Sequence, residues 1–214
     1  MIEGFRFLPE HLSATDQQRL LNEVLARTER SPFYHAQMPR TGAPMSVAMT
    51  NFGPLGWVSD IAGYRYQATH PVTGQAWPDI PQMLLDLWDD LAGYDAPPQA
   101  CLVNNYQPGA RLGLHIDGDE AAKTAPVLSV SLGDRALFRL GGLKRTDPTS
   151  SMRLASGDVV LLAGAARRAY HGVDRILPGS SRLVPGGGRI NLTLRRVTQP
   201  DQAQTRQGSA SAHS

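Results

Sequence analysis

The chain has 214 residues, enough for one domain with a substantial core, and its 41% hydrophobic and 19% charged residues are ordinary for a globular protein. Its net charge is +2 and its pI about 8.9, and the basic residues are almost all arginine, Lys123 and Lys144 being the two lysines. One cysteine, Cys101, excludes an intramolecular disulfide and fits a reducing compartment. No apolar run reaches membrane-span length and the N-terminus lacks a secretion-signal layout, so a cytoplasmic protein without membrane association is expected.

In chain order, Glu3 to Leu8 reads as a short strand. Thr15 is placed to cap a helix, with Gln18 completing a capping box and Leu20, Leu21, Val24 and Leu25 as its buried stripe, and Ser31-Pro32 ends it. Residues 36 to 80 are rich in Pro, Gly and aromatics and read as hairpins and loops, with a strand over Val47 to Thr50. Within them Trp57, Tyr64 and Tyr66 sit among turn residues, where aromatics serve either as core or as a stacking platform for a flat base. Met49 is equally pocket wall or core. Pro81 opens a second helix whose apolar stripe includes Leu84 and Trp88, and Gly93 stops it.

From Ala100 onward the pattern is strand-like: Cys101 to Tyr106, Arg111 to His115, Val127 to Leu132, Ala136 to Leu140, Val159 to Ala163 and Arg189 to Val197, separated by Gly, Pro and Asp. Many short strands between turn signals indicate a sandwich or barrel. After about Thr198 the chain is Gln-, Ser- and Ala-rich without apolar period, and disorder is expected over 199–214.

Two patterns carry chemistry. His115 and Asp117 are separated by one residue; in a strand they would share a face with Cα atoms about 6.6 Å apart, suiting an imidazole and a carboxylate that converge on one ion. With His171 as third ligand, two histidines and a carboxylate make the facial triad of non-haem Fe(II); alone, His-x-Asp is more often a satisfied histidine beside a surface carboxylate. The run from Arg189 to Arg195 alternates at period two, so Arg189, Asn191, Thr193 and Arg195 share one face. Two arginines so placed suit a dicarboxylate, or else a solvated edge strand. Taken together, the patterns indicate iron plus 2-oxoglutarate.

On these residues the chain resembles the AlkB family of Fe(II)- and 2-oxoglutarate-dependent nucleic-acid dealkylases, in particular its bacterial members. The motifs are Asn104-x-Tyr106, His115-x-Asp117-x-Asp119-Glu120, His171-Gly172 and Arg189-x-Asn191-Leu192-Thr193-Leu194-Arg195. Upstream, Ser46 to Asn51, Gly56-Trp57 and Gly63-Tyr64-Arg65-Tyr66 also match, as does Gly141 to Arg145 between the histidines. The resemblance implies an α+β, mainly β fold: a double-stranded β-helix (jelly-roll) core over about 97–198, N-terminal helices, and a β-rich nucleotide-recognition lid over about 40–80, all in one domain of residues 1–198. It implies Fe(II) on His115, Asp117 and His171, with O₂ as co-substrate. 2-Oxoglutarate would be held by Arg189 at its far carboxylate, Asn104 and Tyr106 donating hydrogen bonds, Arg195 near the other end and Asn191 supporting the network.

The implied reaction is oxidative demethylation of 1-methyladenine or 3-methylcytosine in DNA, single-stranded or duplex with the base flipped out, with release of formaldehyde. Methylated RNA or a small metabolite is the alternative substrate, and a monomer is expected. Substrate contacts are implied for Trp57, Tyr64, Tyr66, Asp119, Arg145 and Met49, and phosphate contact for Arg65; by themselves Asp119 reads equally as an acidic turn residue and Arg145 as a charged loop residue. The chain departs from the family pattern at the neutral Asn105, at Leu161 and Leu162 where a tryptophan is expected, and in the Ser-, Arg- and Gly-rich loop between Pro178 and Gly188.

Overall fold

The computed structural model describes residues 2–200; the expected disordered tail from residue 201 on lies outside the described residues. Its elements are β1 (Phe5–Leu8), α1 (Ala14–Thr28), β2 (Tyr34–Gln37), β3 (Pro44–Phe52), β4 (Gly56–Asp60), β5 (Gly63–Gln67), α2 (Gln82–Leu91), β6 (Ala100–Tyr106) and β7 (Leu112–His115). Then follow β8 (Val127–Gly133), β9 (Arg135–Leu140), β10 (Ser150–Leu154), β11 (Val159–Leu162), a 3₁₀ turn (Gly164–Arg168), β12 (His171–Leu177) and β13 (Arg189–Arg195). A seven-stranded sheet of order β1-β11-β8-β13-β6-β3-β2 and a four-stranded sheet of order β10-β9-β12-β7 form the jelly roll, and β4-β5 is a separate hairpin.

The expected strands are present. The pattern gave no strand over Ser150–Leu154, where Ser150 and Ser151 are both exposed, or over His171–Leu177, where a bulge between Val173 and Arg175 breaks the alternation. Helix α1 starts earlier than the sequence suggests. Ser13, not Thr15, is the N-cap; its Oγ accepts from the Asp16 amide at 3.1 Å, and Asp16 takes the third helical position expected of Gln18.

Strand β13 explains how one sequence serves two layers. Ile190, Leu192 and Leu194 join Leu20, Leu21, Val24, Leu84 and Trp88 in the core beneath the helices. The alternate residues Arg189, Asn191, Thr193 and Arg195 face the cavity between the sheets. The strand pairs with β6 on one side and β8 on the other, so it is central and all seven residues are buried; the solvated-edge reading of the arginines is thereby excluded. A second core, including Tyr106, Phe138, Leu154, Val160, Leu162 and Val173, fills the space between the two sheets behind the cavity.

Two glycines are required by close approach. A Cβ on Gly172 would lie 2.6 Å from the Leu112 carbonyl oxygen, so glycine here lets β7 close onto β12. Gly188 has φ +92° and would meet the Tyr106 carbonyl at 2.8 Å. Its amide donates to the buried Asp134 carboxylate, as do the amides of Gly179 and Ser181, which fixes the loop delivering Arg189.

Candidate metal and 2-oxoglutarate site

His115 ends β7 and His171 begins β12, and the two face each other in register, their rings 4.5 Å apart between centroids. Asp117 lies beyond the end of β7, so its convergence comes from the chain's turn out of the sheet rather than from strand period. Its Oδ1 is 3.8 Å from His115 Nε2 and its Oδ2 3.8 Å from His171 Nε2, and one ligand atom from each residue falls within 4.8 Å of the others. Each imidazole donates its Nδ1 proton to a carbonyl, His115 to Gly113 at 2.9 Å and His171 to Ala169 at 3.0 Å. That fixes the tautomer that leaves both Nε2 lone pairs directed at the shared centre.

Electrostatics keep His171 and Asp117 in ligand form. Burial pulls the His171 imidazole down to about 4, so it is neutral near pH 7. Burial alone would raise the Asp117 carboxyl, but Arg195, His171, His115 and Arg167 outweigh it and hold the group well below the usual carboxylate range. Arg195 Nη2 donates to Asp117 Oδ1 at 2.9 Å.

A cavity of about 780 Å³ opens beside this cluster. Arg189, 1% exposed, lies in its wall with its guanidinium carbon 5.3 Å from the centre of the Tyr106 ring. Its Nη2 donates to Ser131 Oγ at 2.9 Å, whereas Nε and Nη1 are buried without a partner among the described residues. A buried guanidinium with two open donors and no carboxylate is costly by itself and fits an anionic ligand that brings its own oxygens. Asn104 also lines the cavity, and Asn191 is held by Ser129 Oγ at 2.7 Å and Thr193 Oγ1 at 3.1 Å. The donor set therefore fits both Fe(II) and a dicarboxylate.

Of the residues expected to meet substrate, Met49, Trp57, Tyr64, Asp119 and Arg145 line the same cavity. Trp57 stacks on Tyr64 with centroids 5.4 Å apart and planes 22° apart, and its Nε1 donates to Asp119 Oδ2 at 2.7 Å. Met49 is 3% exposed and packs with Ala36 and Leu102, so pocket wall and core are here the same residue.

Tyr66 is different: it does not line the cavity, and its hydroxyl donates to the buried Glu120 at 2.5 Å. Arg65 likewise forks onto Asp60 at 3.0 and 2.8 Å, so its guanidinium is engaged within the hairpin.

Sequence reasoning missed Arg167, Ser129 and Ser131, and gave Glu120 no role of its own. Arg167 is buried and donates to the carbonyls of Ala125 and Asp117 and to Glu120 Oε2, clamping the segment that follows the His-x-Asp motif. Glu120 also lies 3.4 Å from Arg195 Nε, an ion-pair distance without hydrogen-bond alignment. The serines had a legible signal, two polar residues at period two within an otherwise apolar strand. Arg167 had none, because its partners are more than 40 residues away.

The 2OG-Fe(II) oxygenase superfamily model matches residues 4–195. The AlkB homolog of Caulobacter vibrioides, an alpha-ketoglutarate-dependent dioxygenase, is 59% identical over 92% of this chain and 89% of its own. AlkB of Escherichia coli is 43% identical over 84% of each. The chain belongs to the AlkB family of 2OG-Fe(II) oxygenases. This oxygenase is accordingly an Fe(II)- and 2-oxoglutarate-dependent dioxygenase that uses O₂. The solved structure of OsALKBH1 superimposes with a TM-score of 0.76 at 31% identity, covering 92% of this chain and 99% of that one. More distant relatives include ALKBH1A of Arabidopsis thaliana, named a DNA N(6)-methyladenine demethylase, 46% identical over 49% of this chain and 36% of its own. Another is abh1 of Schizosaccharomyces pombe, named a tRNA demethylase, 41% identical over 91% of this chain and 79% of its own. Among the described residues no helix is long and apolar enough to cross a membrane.

Proposed function

We propose that this oxygenase demethylates bases alkylated on their Watson–Crick edge, such as 1-methyladenine and 3-methylcytosine, in DNA, and so reverses damage directly. The observation that carries this reading is that one cavity holds the His₂Asp cluster, the Arg189 guanidinium with two open nitrogens and the Trp57–Tyr64 aromatic pair. In this reading His115, Asp117 and His171 hold iron. Arg189 takes the distal carboxylate of 2-oxoglutarate, with Asn104, Tyr106 and Asn191 around it and Arg195 at the metal end. Iron, 2-oxoglutarate and O₂ together supply oxidation of the N-methyl group, which leaves as formaldehyde while 2-oxoglutarate becomes succinate and CO₂.

The chain's own residues orient and shield. Trp57 covers one face of an extruded base, and Asp119, fixed by the indole N–H, places negative charge beside a ring that alkylation has made cationic. Arg145 and Tyr64 close the mouth, and Met49 limits the pocket's depth. The lesion cannot pair, so its extrusion costs less than that of a normal base.

The relatives named for DNA and for tRNA make methylated RNA the second reading. The test is incubation with Fe(II), ascorbate and 2-oxoglutarate on matched DNA and RNA oligonucleotides carrying either lesion. Formaldehyde with restored base on DNA supports the first reading, and turnover confined to RNA supports the second. Succinate formation without repair of either would remove the nucleic-acid reading altogether.

A further inference from the structure

Charge is segregated along this chain. Residues 1–134 hold eight basic and fifteen acidic side chains, whereas residues 135–182 hold nine basic and three acidic ones. The basic segment builds most of the four-stranded sheet. In β9, Ala136, Phe138 and Leu140 face the core, which turns Arg135, Leu137 and Arg139 outward. The register sets Leu137 opposite Arg153 of β10 and opposite Arg175 of β12, so those two exposed arginines flank Leu137 about 10 Å apart, two strand spacings.

A bulge at Val173/Arg175 brings Asp174 to Arg139, its Oδ2 accepting at 2.7 Å, and neutralises that one arginine. Arg135, Arg153 and Arg175 are exposed and form no ion pair with a described residue. At the metal end of the sheet the β9–β10 loop presents Arg145 at the cavity mouth. From Leu140, where that loop begins, to Arg135 is about 17 Å along β9.

We infer that the outer face of the four-stranded sheet is a phosphate track, on which Arg135, Arg153 and Arg175 hold the backbone of a nucleic-acid strand running away from the cavity mouth. This rests on the nucleic-acid reading of the site and extends it to a second surface. Guanidinium forks match phosphate oxygens, and a track whose neighbouring carboxylate, Asp174, is already held by Arg139 suits a polyanion rather than a protein surface of mixed charge. The track carries no base contact and contributes grip without sequence preference.

The test is the triple variant Arg135→Gln/Arg153→Gln/Arg175→Gln against the wild type. A control carries Arg6→Gln/Arg19→Gln/Arg30→Gln on the helix side, with the same change in net charge. Binding of a long unmodified single strand is followed against salt concentration. Three lost phosphate contacts should reduce the slope of log K against log salt by about 2, at roughly 0.7 per contact for single strands. The control should keep the wild-type slope. Turnover of a methylated trinucleotide should be unchanged in the triple variant, while kcat/KM on a long methylated strand falls at least about tenfold.

An unchanged slope, or an equal drop in the control, overturns the track. So does equal loss of turnover on short and long substrates. A wild type that binds the long strand yet repairs neither substrate overturns the proposed function and leaves the binding result to decide the track.

Discussion

Replacing Arg189 by Met separates a ligand-binding arginine from a structural one. The side chain is buried, has two N–H groups without a partner, and makes one hydrogen bond, to Ser131. A charge-assisted hydrogen bond contributes about 1.5–3 kcal/mol, so filling both open donors with a carboxylate is worth about 3–6 kcal/mol. Its loss should weaken 2-oxoglutarate binding by a factor of about a hundred to ten thousand. The ligand-free protein should behave oppositely. It sheds a buried unpaired cation and loses one ordinary hydrogen bond, so its melting temperature should hold or rise. Calorimetric titration of 2-oxoglutarate into anaerobic Mn(II)-loaded protein reads the first effect, and a thermal melt without ligand reads the second. Binding within about threefold of wild type, or a ligand-free melt lowered by more than about 4 °C, more than 1 kcal/mol in a domain of this size, would refute the reasoning.

Asp117→Ala should abolish both turnover and tight metal binding. It should also destabilise the fold by about 1.5–3 kcal/mol, because Arg195 loses the carboxylate it hydrogen-bonds and keeps Glu120 only at 3.4 Å; chemical denaturation checks the stability, and full activity would mean the ligand set is wrong. Gly172→Ala should lower metal affinity by about tenfold or more and stability by about 1–3 kcal/mol, because the new Cβ meets backbone atoms of Leu112 and Gly113 that cannot give way; unchanged Mn(II) affinity would count against close approach of the two strands as the cause. Trp57→Ala should raise KM for a methylated oligonucleotide while sparing uncoupled 2-oxoglutarate decay, and equal loss of both would argue against stacking. In the metal-free protein His171 titrates near 4 when folded and near 6.5 when unfolded. The unfolded chain binds more protons between these values, so stability should be complete above about pH 6.5 and fall as pH drops toward 4. Urea melts across that range should show the slope in wild type and a shallower one in His171→Gln.

Much of the fold was legible because the jelly roll's strands alternate or run apolar between Gly, Pro and Asp breaks. The period-two run from Arg189 to Arg195 located one wall of the cavity correctly, yet periodicity cannot tell a buried polar face from a wet one; only the pairing of β13 on both sides does that. His115 and Asp117 were conspicuous by type and spacing, but the reason they converge is the end of β7, which no local pattern marks. The opposed registration of His115 and His171, and the clamp of Arg167 on Glu120 and the Asp117 carbonyl, depend on strand order and chain crossings that join distant segments. The Tyr66 hydroxyl is turned inward to the Glu120 carboxylate rather than toward the cavity, an orientation that no motif states.

Because β13 presents Ile190, Leu192 and Leu194 to the helices and its alternate residues to the cavity, the helical layer and the proposed co-substrate pocket are two sides of a single ribbon one residue thick. A repacking beneath Trp88 would bear on the strand that carries Arg189, because both belong to one packed layer. On the proposed role of Arg189, variants selected for heat resistance in the helices should therefore alter the apparent 2-oxoglutarate requirement, and tolerance to drift in this layer should be set by how far the guanidinium can be displaced.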